Sequence, residues 1–228
     1  CPVCRMYQKL EENAINYTIG PGASYMEGDI REQSDEQGFC QKHLEMLYEY
    51  PNKLGLAMML KTHMDKTAKE LKKAMKAPLP QAAVLFRKKS QTVHPVITFV
   101  EEKEKKCFVC DYINHSFTNY INTIYYLYEK EEDFRKQFAA SKGFCVNHYK
   151  VLFSGAPEYM GKKYLNEFLM TLNETFINGY ERVRDDLEWF ICKNDYRYKE
   201  QPWKNARDAL QRGLVKAGSI MEAEEKKE

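Results

Sequence analysis

The chain has 228 residues, 43% hydrophobic and 30% charged, with 11 Gly and 8 Pro, the balance of a helix-rich globular protein large enough to bury a core without staples. Its 35 basic and 33 acidic residues leave a net charge of +2, so nothing in the overall balance calls for nucleic acid or an acidic membrane as partner. No run of about 18 apolar residues is present and no basic-then-apolar leader precedes the first motif, which excludes a transmembrane helix and a signal peptide from the reading and makes the cytoplasm the expected compartment.

Taken in chain order, Arg5 to Tyr17 reads as a helix, followed by a loop at Thr18 to Ser24 around Gly20, Pro21 and Gly22. Gly38 is a helix stop, and Asn52 to Met75 is a long helix with Leu56, Leu60, Met64, Ala68 and Leu71 on one face. Residues 77–106 read as a linker, with Pro78, Pro80 and Pro95 breaking helix and the run Val96-Ile97-Thr98-Phe99-Val100 suited to a short extended segment. Helices follow at Asp111 to Tyr128 and Glu131 to Ala140, then a stop at Gly143. Glu158 to Cys192 is a long packing helix carrying Tyr164, Phe168, Leu172, Phe176, Tyr180, Val183 and Leu187. Pro202 opens a last helix reaching about Ala217, and Met221 to Glu228 is a charged tail.

A duplication underlies this order. Cys1-Pro2-Val3-Cys4 is matched by Cys107-Phe108-Val109-Cys110, and Gly38-Phe39-Cys40-Gln41-Lys42-His43 by Gly143-Phe144-Cys145-Val146-Asn147-His148. Both halves continue to Pro-x-x-[Leu/Met]-Gly, at Pro51 to Gly55 and Pro157 to Gly161. The expected architecture is all-α, in two pseudo-repeated units with long packing helices, each unit pinned by one Cys3His metal site. The first unit spans 1–76, the second 107–192, and 193–228 form a C-terminal helix and tail.

Each copy reads C-x2-C, a gap of 35 or 34 residues, then C-x2-H. A two-residue spacer lets both side chains of a pair converge on one ion, and two pairs complete the tetrahedral sulfur and nitrogen set that Zn2+ takes in closed structural sites. The expected ligands are Cys1, Cys4, Cys40 and His43 in one copy and Cys107, Cys110, Cys145 and His148 in the other. Seven cysteines are an odd number for disulfides, and a His would not recur beside the third Cys of each copy for that purpose. The expected cofactors are two Zn2+, because neither copy has the dense multi-Cys run of ferredoxins. Two iron-sulfur clusters are the alternative, since a histidine can replace a cysteine at iron.

Three thiolates on a divalent ion leave a charge of −1, and Arg5, Lys42 and Lys142 are the basic residues nearest in sequence to offset it. His63, His94 and His115 lack a ligand pattern and read as surface or satisfied core. Cys192, beside Trp189, Phe190 and Ile191, reads as a buried apolar residue. The stretch Glu181 to Glu188 reads as a salt-bridged helix face. Lys69 to Lys76 and Arg87-Lys88-Lys89 are basic, but no nucleic-acid recognition module accompanies them.

The twin C-x-V-C and G-F-C-x-x-H motifs, with Asp186-Leu187-Glu188-Trp189-Phe190 and Lys193-Asn194-Asp195-Tyr196-Arg197, resemble an uncharacterised bacterial family known only as a domain of unknown function. The resemblance covers nearly the whole chain; it implies a bacterial, cytoplasmic protein and brings no activity with it. With every coordination position filled, the expectation is a binding or adaptor module for a protein partner or small ligand, without membrane or nucleic acid, rather than an enzyme. An electron-transfer protein or a thiol-based zinc redox sensor is the alternative; the oligomeric state is open.

Overall fold

The computed structural model describes residues 1–80 and 93–219. Among the described residues there are ten α-helices, two short 3₁₀ turns and no strand, as the helical periodicity requires. The helices are α1 (Pro2–Ile19), α2 (Gly28–Gln37), α3 (Gln41–Glu49), α4 (Lys53–Ala74), α5 (Pro95–Glu104), α6 (Phe108–Lys130), α7 (Glu132–Ala139), α8 (Val146–Tyr159), α9 (Lys162–Cys192) and α10 (Ala209–Gly218). Arg87-Lys88-Lys89, the tail from Met221 and part of the expected linker lie outside the described residues.

The helix order is the same in both halves. A C-x2-C opens a long helix (α1, α6), a shorter helix follows (α2, α7), and after G-F-C a helix carries the histidine (α3, α8) and another long helix succeeds it (α4, α9). The compact units, however, are not the consecutive stretches 1–76 and 107–192. One comprises Cys1–Lys9 with Phe117–Glu228 and the other Leu10–Ser116. Both changes of unit fall inside a helix, within α1 and within α6, because an unbroken helix carries the chain onward for its full length.

In the unit holding Cys1, the core is aromatic. Tyr125, Tyr128, Phe138, Phe144 and Phe168 are buried together with Val3, Leu152 and Leu172. Phe168 meets Tyr125, Tyr128 and Phe138 at centroid distances of 5.5, 5.0 and 5.3 Å, contacts that contribute about 0.5–1.5 kcal/mol each beyond their buried area. Tyr180, expected on the inner face of α9, is exposed, whereas Thr175 and Gly179 are buried there. The reason is close approach: a Cβ on Gly179 would stand 2.5 Å from the Lys142 carbonyl oxygen, so only the smallest residue fits.

In the other unit, Leu10, Ala14, Ile15, Ile19, Ile30, Leu47, Leu56, Met59 and Ile113 are buried. The inner stripe of α4 is partly polar: Met64, expected inward, is exposed, and α4 meets α2 through Thr62, His63 and Lys66. Arg31 donates to the Met58 carbonyl at 3.1 Å and the Thr62 hydroxyl at 2.9 Å, Thr62 donates to Asp35 at 2.6 Å, and Lys66 pairs with Glu36 at 2.5 Å. Apolar periodicity cannot register a face that is satisfied by polar partners.

Three local expectations change. Residues 96–100 are helical, in α5: Pro95 supplies the first-turn φ, and the His94 ring nitrogen accepts from the Val96 N–H at 3.2 Å, so the helix start outweighs the weak strand preference of a β-branched run. The helix expected from Glu158 to Cys192 is interrupted between Tyr159 and Lys162. Pro157 lies in the last turn of α8, and the Gly161 N–H is taken by the Glu129 carboxylate at 2.6 Å. The last helix starts at Ala209, not Pro202. Lys193 donates to the carbonyls of Tyr198, Lys199 and Gln201 at 2.9, 2.7 and 2.7 Å, and the Trp189 indole donates to that of Pro202 at 3.1 Å. Lys204 also takes a left-handed φ of 50°. Side chains of α9 and its end thus engage the carbonyls that a helix would have used.

Candidate metal centres

All eight expected ligands converge in two groups of four, but with exchanged partners. Cys1 and Cys4 meet Cys145 and His148, while Cys40 and His43 meet Cys107 and Cys110; within each group the donor atoms all lie within 4.8 Å of one another. The pairing of each C-x2-C with the C-x2-H of its own copy is therefore corrected.

Helix lengths explain the exchange. The 18 residues of α1 rise about 27 Å and the 10 of α2 only about 15 Å, so the returning chain cannot bring Cys40 and His43 back to the start of α1. His43 instead reaches the side of α1 at Glu11, with Nε2 3.2 Å from Oε1, seven residues or about 10 Å beyond Cys4. The other half repeats this. The 23 residues of α6 rise about 35 Å and the 8 of α7 about 12 Å, and the His148 ring lies 5.7 Å from that of Phe117, seven residues beyond Cys110.

Every ligand pair sits at a helix N-terminus. Cys40 and Cys145 are the N-cap residues of α3 and α8, with extended backbone, and His43 and His148 occupy the third helical position. The Cys145 sulfur accepts from the His148 N–H at 3.4 Å, and the Cys107 sulfur from the Cys110 N–H at 3.5 Å. Unpaired N–H groups and the positive helix ends thus face the sulfurs and favour thiolates. Gly38 and Gly143, with φ of 66° and 75°, turn the chain into both G-F-C segments, a left-handed conformation that glycine adopts without strain.

In each group the Nδ1 of the histidine faces the three sulfurs. In the Cys1 group it stands 3.6, 3.3 and 3.1 Å from Cys1, Cys4 and Cys145, and in the Cys40 group 3.3, 3.3 and 3.4 Å from Cys40, Cys107 and Cys110. Sulfurs are 3.5 Å apart for Cys4 and Cys145 and 3.9 Å for Cys40 and Cys110, too far for the roughly 2 Å bond of a disulfide. Donors about 2.3 Å (S) and 2.0–2.1 Å (N) from one ion would lie about 3.5–3.8 Å apart on a tetrahedron, so both sets fit a single ion.

The surroundings of the groups differ. His43 and Glu11 are buried, and Lys42 pairs with the same carboxylate at 2.5 Å. Burial works to raise the Glu11 carboxyl, but hydrogen bonds from His43 and Lys42 prevail and hold it below the usual carboxylate range. Burial would lower His43; its bonds to Cys107 and Glu11 carry it instead up to about 9. Cys107 is likewise brought down to about 6, against burial, by His43 and by backbone N–H donors, while burial and the neighbouring Cys107 raise Cys110. In the other group, a hydrogen bond from Cys4 leads in lowering Cys145, with burial opposing and His148 and Ser219 assisting, and Cys4 is raised in return.

Sequence proximity misled about the supporting cation. Lys42 serves Glu11 rather than a sulfur, and Lys142 offers its backbone carbonyl. The buried cation beside the Cys1 group is Lys216, 5% exposed, whose ammonium donates to the carbonyls of Lys142 and Phe144 at 2.7 and 3.2 Å. Burial and Arg182 bring Lys216 down to about 8, offset in part by Cys145 and Cys4. Ser219, at a left-handed φ of 59° after α10, donates its hydroxyl to the Cys145 sulfur at 3.0 Å. Lys216 and Ser219 follow Cys145 by over seventy residues, with no spacing signal to find them.

The remaining singled-out residues fall outside both groups. His63 is bonded to the Asp35 carbonyl at 2.9 Å, His94 caps α5, and His115 is exposed. Cys192 is a half-buried free thiol. The Glu181 to Glu188 stretch carries the expected ion pairs, Arg184 with Glu181 at 3.2 Å and with Asp185 at 2.8 Å, and Arg182 with Asp186 at 3.8 Å. Among the described residues no helix is long and apolar enough to cross a membrane.

The model of a family described as "Family of unknown function (DUF6062)" matches residues 1–224, so the chain belongs to that family. No curated protein and no solved structure matches it.

Proposed function

We propose that this member of the DUF6062 family binds two Zn2+ ions as closed structural centres and acts as a binding or adaptor module rather than as an enzyme. One observation carries the reading: each group places three sulfurs and one Nδ1 at the mutual spacing of donors on a single tetrahedral ion. Three thiolates and a neutral imidazole suit Zn2+, and four protein ligands leave no open position for a catalytic water. Cysteines of a polynuclear iron-sulfur cluster bind different irons, whereas sulfur separations of 3.5 and 3.9 Å favour one shared ion. The His43–Glu11 contact adds the carboxylate that orients and strengthens a metal-bound imidazole.

The ion would join chain segments that are remote in sequence, the start of α1 to the start of α8 and the start of α3 to the start of α6. Such centres are worth on the order of 10 kcal/mol where no other core exists; here the buried aromatic cluster keeps secondary structure in place when the ion leaves. The test is elemental analysis of anaerobically purified protein with its visible spectrum, beside Cys40→Ser and Cys145→Ser. About two zinc per chain, no visible absorbance and the loss of one zinc in each variant are expected. Iron with matching sulfide and a brown solution would overturn the reading in favour of electron transfer.

A further inference from the structure

A cavity of about 400 Å³ opens beside the Cys1 group, in the same unit, with Cys1 on its wall. Five basic side chains line it, those of Arg5, Lys142, Arg182, Arg212 and Lys216, and no carboxylate does. Asp186 and Asp208 stand behind the wall: Arg212 reaches them at 2.6 and 2.8 Å, and Arg182 is 3.8 Å from Asp186, beyond hydrogen-bonding distance. With two carboxylates and a net charge of −1 on a loaded Cys3His centre, the five cations retain a surplus of about two positive charges. Arg212 keeps a further donor, since its buried Nε has no acceptor among the described residues.

Gathering like charges around a concavity disfavours the empty state, at about 1 kcal/mol for a pair 4 Å apart even in water and more near a low-dielectric wall. Charge neutralisation of the metal centre does not account for all five, because Lys216 already lies next to it and is fixed on two carbonyls. Part of the wall is apolar, from Pro2, Val183 and Val215, and the volume falls in the range of small-molecule sites. A monophosphate ester carries about two negative charges at neutral pH, matches the surplus, and presents oxygens in the geometry that guanidinium forks bind best.

The geometry points to this cavity as a binding site for a small molecule bearing a phosphate monoester, with Arg182 and its neighbouring cations on the phosphate and Val183 and Val215 against the body. This deepens the binding-module reading and rests on it for the charge of the metal centre. The test is calorimetric titration of the full, metal-loaded chain with phenyl phosphate, with phenol and benzoate for comparison, each protein's metal content being counted separately. Saturable binding of one phenyl phosphate per chain is expected, weakened about tenfold or more in Arg182→Gln and in Arg5→Gln, and unchanged in Lys163→Gln, whose ammonium lies over Tyr164. Absence of saturable binding, equal affinity in Arg182→Gln and Arg5→Gln as in the unaltered chain, or benzoate bound as tightly would overturn the proposal. A zinc count below two with phenyl phosphate still bound would defeat the two-centre reading and leave the phosphate site standing.

Discussion

Replacing Glu11 by Gln isolates the difference between the two centres. The Glu11 carboxylate is buried and lies 3.2 Å from the His43 Nε2, on the far side of the ring from the sulfurs. As a charged acceptor it fixes the tautomer that leaves Nδ1 free for an ion and raises the basicity of the imidazole; an amide of equal size keeps the volume and loses the charge. Loss of such a partner weakens metal binding about 10–100-fold, which is about 1.4–2.7 kcal/mol. His148 has Phe117 in the corresponding place, a ring 5.7 Å away with no charge to lose. Competition with a chromophoric chelator should therefore show one of the two zinc ions leaving Glu11→Gln about 10–100-fold more readily while the other keeps its affinity. Equal weakening at both centres, or none, would refute the reasoning.

The remaining predictions concern protons, packing and ligand pairing. At neutral pH the ion-free Cys40 group holds protons on His43, raised to about 9, and on Cys110; zinc must displace them, so affinity there falls as pH drops below about 9, and calorimetry in buffers of different ionisation heat should record proton release. Glu11, held below the usual carboxylate range, contributes stability above about pH 4.5 that is lost as pH falls through its lowered pKa, and acid titration of Glu11→Gln should lack that step. Gly143→Ala forces a side chain into φ 75° with its Cβ 2.5 Å from the Thr175 carbonyl oxygen, and a loss of at least about 1–2 kcal/mol should appear in denaturant melts. Cys192→Ser should retain two zinc per chain by elemental analysis, because Cys192 lies in neither group. In the cadmium-113 protein, scalar couplings should join one metal to Cys1, Cys4 and Cys145 and the other to Cys40, Cys107 and Cys110; a metal coupled to Cys1, Cys4 and Cys40 would contradict the exchanged pairing.

The sequence by itself determined the helical class, the identity of all eight ligands and their division into two groups of the same composition. Those facts are local: a C-x2-C or C-x2-H spacing is a property of four residues, and helical periodicity of about ten. It could also place Gly38 and Gly143 as stops, since a left-handed turn is a property of the backbone at one residue. Which pair meets which was decided only in three dimensions, by the mismatch in length between α1 and α2 and between α6 and α7. Repetition in sequence suggests closure within each copy, but a rigid rod of 18 or 23 residues followed by a return of 10 or 8 leaves the histidine partway along the rod, where the other C-x2-C arrives. The same holds for Lys216 and Ser219 at the Cys1 group and for the polar stripe between α2 and α4. They act through contacts between segments far apart in the chain, and no pattern of neighbouring residues encodes those contacts.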